Sequence, residues 1–162
     1  MAEKIKFPCI QVAEGEINQR VITCGDPARA ELISKFFDDP VCMAKNREFW
    51  TFNGTYKGVP VSVTSHAVGC GGAAIAFESM WRAGAKVIIR VGSCGGMQPG
   101  IDAGSLVIAT AACREDGVTE KMIPLSYPAV ADGEVVTALS KIAKENGIEV
   151  NKGIILTQAL FY

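Results

Sequence analysis

Histidine occurs once in the 162 residues, at position 66, which excludes any site that needs two imidazoles from this chain. Cysteine occurs six times, at positions 9, 24, 42, 70, 94 and 113. No two of these lie within four residues of each other, so the close spacing that metal and redox motifs require is missing. They read instead as reduced, buried cysteines of a cytosolic protein. Charge of one sign is also scarce. A net charge of −1 gives no general field for nucleic acid or an anionic membrane, so any anion must be recognised by a few local arginines. The opening MAEKIKFPCIQVAEGE is charged and has no long apolar run, and it reads as neither signal peptide nor membrane span. A cytoplasmic location is the expectation.

What is present suits a well-buried α/β domain: 49% of residues are hydrophobic and 20% charged, in a length fit for one domain. Lys86 to Gly96, KVIIRVGSCGG, is the informative stretch. Val87, Ile88, Ile89 and Val91 form the apolar run of a buried parallel strand. Arg90 interrupts that run, and an unpaired charge in a strand covered on both faces costs roughly several kcal/mol, so an anionic partner is expected. Gly92, Gly95 and Gly96 would let backbone N–H groups approach a ligand at the carboxyl end of the strand, where open α/β sheets bind small molecules. An anion site containing Arg90 and Ser93 is the resulting hypothesis.

Upstream, Arg20–Cys24 is a short strand, and Asp26 and Pro27 cap and open a helix over Ala28–Phe37. Arg29 falls in its first turn, where a cation opposes the helix dipole; either an anion or the Asp26 carboxylate offsets it. Val41–Lys45, Phe49–Tyr56 and Val59–Ser65 read as strands, with Asn46-Arg47-Glu48 a loop or bulge of solvated charge. Ser65–Ala74 is a second glycine-rich turn before a helix at Ala73–Arg82. Gly69, Gly71 and Ala74 match the dinucleotide fingerprint, but the acid it needs about twenty residues on is absent, which argues against that ligand. His66 reads as a structural hydrogen-bonder rather than a catalyst.

Further on, Ser105–Ala111 is a strand and Cys113–Val130 a long irregular connection of the kind that often carries function. Asp132 caps a helix over Gly133–Glu145, and Glu149–Thr157 is a final strand. Alternating strands and helices predict a three-layer α/β domain with a central mixed, mostly parallel sheet flanked by helices. The hydrophobic strand runs into Gln158–Tyr162 with no capping element, and this reads as an interrupted chain, a single domain over residues 1–162 that is incomplete at its C-terminus.

Gly25-Asp26-Pro27-Ala28-Arg29, Asn46-Arg47-Glu48-Phe49 and Arg90-Val91-Gly92-Ser93-Cys94-Gly95-Gly96 together resemble the hexameric-type nucleoside phosphorylase family. Pro124 to Asp132, PLSYPAVAD, looks most like the uridine phosphorylase branch. The resemblance implies phosphorolysis of a pyrimidine nucleoside, uridine plus phosphate giving uracil and ribose 1-phosphate through an oxocarbenium-like transition state. It implies a phosphate site of the Gly25 backbone, Arg29, Arg47, Arg90 and Ser93, with Arg90 and Ser93 catalytic. Ser93, Cys94, Gly95 and Phe161 would touch the nucleoside. Arg47 would be donated across a homodimer, the smallest complete unit, with a hexamer also open. No cofactor and no metal are implied, and phosphate is a co-substrate. Purine nucleoside phosphorolysis and a catalytically impaired phosphate-binding paralogue or truncated subunit are the alternatives. Three departures stand out. The family's N-terminal histidine aligns near Phe7-Pro8, its glycine-proline-serine reads Cys70-Gly71-Gly72, and its C-terminal third, which reads the base, has no counterpart. With that serine absent, the interface potassium some members hold near the position of Glu48 is not expected.

Overall fold

The structure, a computed structural model, describes residues 4–160, so Phe161 lies outside the described residues. The chain divides into two compact units, Met1–Ser93 and Cys94–Tyr162. The first contains strand β1 (Arg20–Cys24), helix α1 (Pro27–Ser34), strands β2 (Asp38–Asn46), β3 (Phe49–Tyr56) and β4 (Val59–Ser65), helix α2 (Gly69–Ala83) and strand β5 (Val87–Arg90). Its five-stranded sheet has the order β2-β3-β4-β1-β5. Pairings of β1 with β4 and with β5 are parallel; β2–β3 and β3–β4 are antiparallel hairpins. The mixed α/β sheet expected from the sequence is therefore present.

Both faces of this sheet are covered. On one, Val21 and Phe49 pack with Ala76, Met80 and Ala83 of α2 and with Ile10, Val12 and Ile17 of the N-terminal segment. On the other, Cys24, Phe52, Val61 and Val63 pack with Ala30 of α1 and Phe37. Met80 is fully buried, and its truncation to alanine would remove about 2–5 kcal/mol. The buried threonines are paired: Thr23 Oγ1 donates to the Thr64 carbonyl at 2.6 Å, and the Thr51 and Thr64 hydroxyls meet at 3.2 Å.

The second unit contains β6 (Leu106–Glu115), a single 3-10 turn (Thr119–Lys121), α3 (Gly133–Glu145) and β7 (Val150–Gln158). Strands β6 and β7 pair in parallel from Leu106↔Val150 to Glu115↔Gln158, as a strand–helix–strand crossover allows. The Asp132 carboxylate caps α3 by accepting from the Val135 N–H at 3.0 Å.

Several expectations shift. Helix α1 stops at Ser34 because Lys35, Phe36 and Phe37 close tight turns that turn Phe37 into the core. Helix α2 begins at Gly69, four residues before the expected Ala73, so Gly71 and Gly72 are helical, while Gly69 enters the helix with a φ of 84°. The reason is close packing: a Cβ on Gly72 would lie 2.6 Å from the His66 carbonyl oxygen, and only glycine fits. Strand β6 continues to Glu115 because its partner β7 continues to Gln158. Of the six cysteines, all are reduced but only Cys24 is buried; Cys42, Cys94 and Cys113 are exposed. Among the described residues, no helix is long and apolar enough to cross a membrane.

Candidate anion site at the carboxyl ends of β1, β4 and β5

The three parallel strands of the first unit end together. Cys24 on β1 lies opposite Ser65 on β4, and Thr23 lies opposite Arg90 on β5. Beyond the strands, the exits stay tied to β1: His66 N–H donates to the Cys24 carbonyl and Val91 N–H to the Thr23 carbonyl, both at 2.8 Å. This edge, at the carboxyl ends of parallel strands, is where α/β sheets bind ligands.

Gly25 leads from β1 into α1, and a Cβ there would stand 3.3 Å from the Ala67 carbonyl oxygen and 3.7 Å from His66 Cε1. The β1–α1 and β4–α2 turns are thus in contact. The Asp26 carboxylate accepts the Ala28 N–H at 2.9 Å, so it caps the helix and does not pair with Arg29. Arg29 is exposed and forms no ion pair among the described residues. Of the two offsets considered for its charge, pairing with Asp26 is not seen. Burial pushes the Cys24 thiol up; the Arg29 charge pulls it the other way, the Asp26 carboxylate adds to the rise, and the Arg90 charge opposes it least.

Arg90 departs from expectation in two respects. Strand β5 forms an edge of its sheet and its apolar residues are only half-buried, while Arg90 is exposed, so no large desolvation cost demands an anion. Its one side-chain partner among the described residues is neutral: Nε donates to His66 Nε2 at 3.0 Å. The guanidinium curls over Gly92, where a Cβ would lie 2.6 Å from Nη1. Its terminal N–H groups remain available.

His66 is 3% exposed, and its ring meets Phe77 edge-on at 5.9 Å. Because Nε2 accepts, the ring proton sits on Nδ1, the one buried side-chain nitrogen or oxygen without a partner among the described residues. Burial first, and the Arg90 charge second, hold its pKa below the ordinary value, with the backbone of His66 and Ala67 pulling weakly the other way. The structural hydrogen-bonding role expected for His66 is what the geometry shows, with Arg90 as its partner.

Arg47 occupies the two-residue turn between β2 and β3, with Asn46 opposite Phe49 and a positive φ of 50° at Arg47. Ser65 Oγ fastens this turn to the end of β4, donating to the Glu48 carbonyl at 2.6 Å and accepting the Trp50 N–H at 2.8 Å. Trp50 Nε1 donates to the Arg47 carbonyl at 2.9 Å. The expected loop is therefore a rigid hairpin tip at the same end of the sheet as Gly25 and Arg90, with the Arg47 side chain exposed. Ser93, Cys94 and Gly95 are exposed, and a Cβ on Gly95 would meet open space.

Two groups of residues escaped the sequence reading. His66 as the holder of Arg90 depends on the register of β4 and β5 through β1, which no local pattern encodes. Arg114, at the end of β6, donates to the carbonyls of Ile123 at 3.1 Å, Pro124 at 2.6 Å and Tyr127 at 3.1 Å, pinning the long connection. Burial pushes the Asp116 carboxyl up, but hydrogen bonds from the Thr119 backbone and hydroxyl and from Val118 N–H outweigh it and hold its pKa low.

Residues 19–162 match the family model described as the phosphorylase superfamily. A uridine phosphorylase of Thermococcus kodakarensis is 43% identical over 148 residues, covering 91% of this chain and 53% of that protein. A guanosine phosphorylase of Halorubrum lacusprofundi is 36% identical over 157 residues, covering 97% and 65%. Among solved structures, purine nucleoside phosphorylase from Toxoplasma gondii in complex with immucillin-H superposes with TM-score 0.94 at 38% identity, over 100% of this chain and 66% of that one. Uridine phosphorylase from Vibrio fischeri gives TM-score 0.94 at 34% identity, over 97% and 66%. The α/β fold is that of nucleoside phosphorylases, and the chain belongs to the phosphorylase superfamily. It spans between 53% and 65% of the length of these curated relatives.

Proposed function

We propose that this chain carries the phosphate-binding half of a nucleoside phosphorylase, with uridine as the substrate of the whole protein. The observation that carries the reading is that the Gly25 turn and Arg90 both lie against His66 at the carboxyl ends of the parallel strands, with Arg29 in the first turn of the helix that follows Gly25. Arg29, Arg90 and, from a second copy, Arg47 surround the phosphate, with Gly25 N–H and the Ser93 hydroxyl as neutral donors. Charge-assisted contacts of this kind contribute roughly 1.5–3 kcal/mol each.

In this reading phosphate itself attacks the anomeric carbon while the bond to the base breaks, and the base leaves with the bonding pair. No protein nucleophile is required. Positive charge develops on the ribosyl group between two anions, so the protein contributes orientation and electrostatic stabilisation. Ser93 bridges phosphate and ribose, and Cys94 and Gly95 lie beside the base. Arg47 makes a homodimer the smallest working unit.

The Pro124–Asp132 segment favours uridine. Purine nucleosides are the second reading, because relatives with guanosine and purine nucleoside phosphorylase names match over as much of the chain as the uridine phosphorylases do. A panel of uridine, thymidine and inosine, each with and without phosphate, decides between them. Phosphate-dependent uracil release supports the uridine reading. Cleavage of inosine with uridine untouched transfers it to purines, and binding of phosphate without turnover on any nucleoside supports a non-catalytic subunit.

A further inference from the structure

We propose that His66 is a positioning residue for the anion site: by accepting the Arg90 Nε–H it fixes the guanidinium so that the terminal Nη1/Nη2 edge is the one offered to the anion. This rests on the reading of Arg90 as a phosphate ligand. A guanidinium has two bidentate edges, one formed by Nε with Nη2 and one by Nη1 with Nη2. His66 Nε2, 3.0 Å from Nε, occupies the first. The second is left without a partner among the described residues, and the absence of a side chain at Gly92 gives Nη1 its room.

The imidazole is built to hold still. Its backbone N–H is bound to the Cys24 carbonyl, and its ring stands against Phe77 at an interplanar angle of 80°. Gly25 lies against Cε1, and Gly72 lies against the His66 carbonyl with no space for a Cβ. A mobile arginine loses rotamer freedom when it binds an anion, and fixing it beforehand removes that loss.

The arrangement works only with a neutral ring. Among the described residues against the ring, the β1–α1 turn brings Gly25, α2 brings Phe77, and the end of β5 brings Arg90, the one charged group. Protonating His66 would turn Nε2 into a donor facing the Arg90 N–H, with two positive charges in contact. The guanidinium would have to leave, and anion affinity would fall on the acid side.

Sulfate binding, followed by calorimetry between pH 5 and 8, is the test, because the charge of sulfate is constant over that range whereas that of phosphate is not. Wild type should bind more weakly as pH falls. His66→Gln supplies an amide acceptor near the position of Nε2 and does not titrate; it should keep affinity within about threefold at pH 7.5 and lose the acid-side fall. His66→Leu should bind about tenfold more weakly at pH 7.5, with no pH dependence. Wild-type affinity and pH profile in His66→Leu, or an unchanged acid-side fall in His66→Gln, would overturn the proposal. Arg90→Ala separates the two levels. If it binds sulfate as wild type does, the anion-site reading itself is wrong; if only Arg90→Ala loses binding and His66→Leu does not, the positioning role alone fails.

Discussion

Arg90 in the first unit and Arg114 in the second both lie at or near the carboxyl end of a strand, and they do opposite things with their N–H groups. Arg114 directs Nη1 and Nη2 to three backbone carbonyls of its own unit, closing the connection that follows β6. Arg90 gives only Nε to a neutral imidazole and keeps its terminal N–H groups open over Gly92. An arginine saturated by carbonyls is a structural staple, whereas one held from behind with its fork free is a ligand for something external. Burial differs in parallel. Among the described residues, every buried apolar side chain except Ile108 and Ala143 belongs to the first unit, while Ile142, Ile154 and Leu156 of the second are exposed.

The contrast breaks most sharply under paired arginine substitutions. Arg90→Ala should raise the Kd for phosphate by at least about tenfold, and should lower phosphate-free stability by only about 1–3 kcal/mol, through the acceptor it leaves unpaired on His66. Arg114→Ala should leave phosphate affinity alone; titration of both variants by calorimetry checks the pair, and equal losses would erase the distinction. Glycines give the next largest effect. Gly72→Ala drives a Cβ into the His66 carbonyl and should destabilise the chain by about 1–3 kcal/mol in denaturant titration. Gly153→Ala in β7 meets nothing within 4 Å and should stay within about 0.5 kcal/mol of wild type.

A smaller, local effect should follow Arg114→Ala in the second unit. Loss of its three exposed hydrogen bonds should weaken the connection by about 1 kcal/mol and speed amide exchange over residues 118–131 without changing exchange in β1 or β4. The smallest effect separates the units by pH. His66 and Asp116 both have lowered folded pKa values, so in each case the unfolded chain binds more protons and stability falls on acidification. For His66 the loss begins as pH drops below its ordinary value of 6.5 and is complete below the depressed folded value. For Asp116 the contribution persists above 3.8 and disappears only as pH falls through a still lower value. Denaturant midpoints at pH 7.5 and 5.5 should show the first loss abolished in His66→Gln, and midpoints carried from pH 5.5 down to pH 2 should show the second abolished in Asp116→Asn.

Local chemistry made much of the fold readable. Phe49–Tyr56 and Val59–Ser65 occupy the expected strands, because alternation and the Lys57-Gly58 turn specify a hairpin without help from afar. The α3 helix begins and ends where Asp132 and Asn146 cap it. Failures came where tertiary packing overrides propensity. Four residues of glycine-rich sequence became the first turn of α2 because His66 and Ala67 press against Gly72. The apolar strand around Arg90 predicts a buried charge, yet β5 is a sheet edge. Arg29 and Arg47 stand out by motif alone; of the hydrogen bonds that fix the turns carrying them, the Asp26 cap is local, while the one from Ser65 comes from another strand and has no local signature in the sequence. The partner of Arg90 was invisible, since it comes from another strand end, 24 residues earlier.

Amide hydrogen exchange with and without phosphate tests most directly whether the carboxyl ends of β1, β4 and β5 form the anion site. Phosphate should slow exchange at residues 25–30 and 91–93 in wild type, leave residues 118–131 unaffected, and do neither in Arg90→Ala. Slowing confined to residues 118–131, or protection at residues 25–30 that survives in Arg90→Ala, would contradict the account.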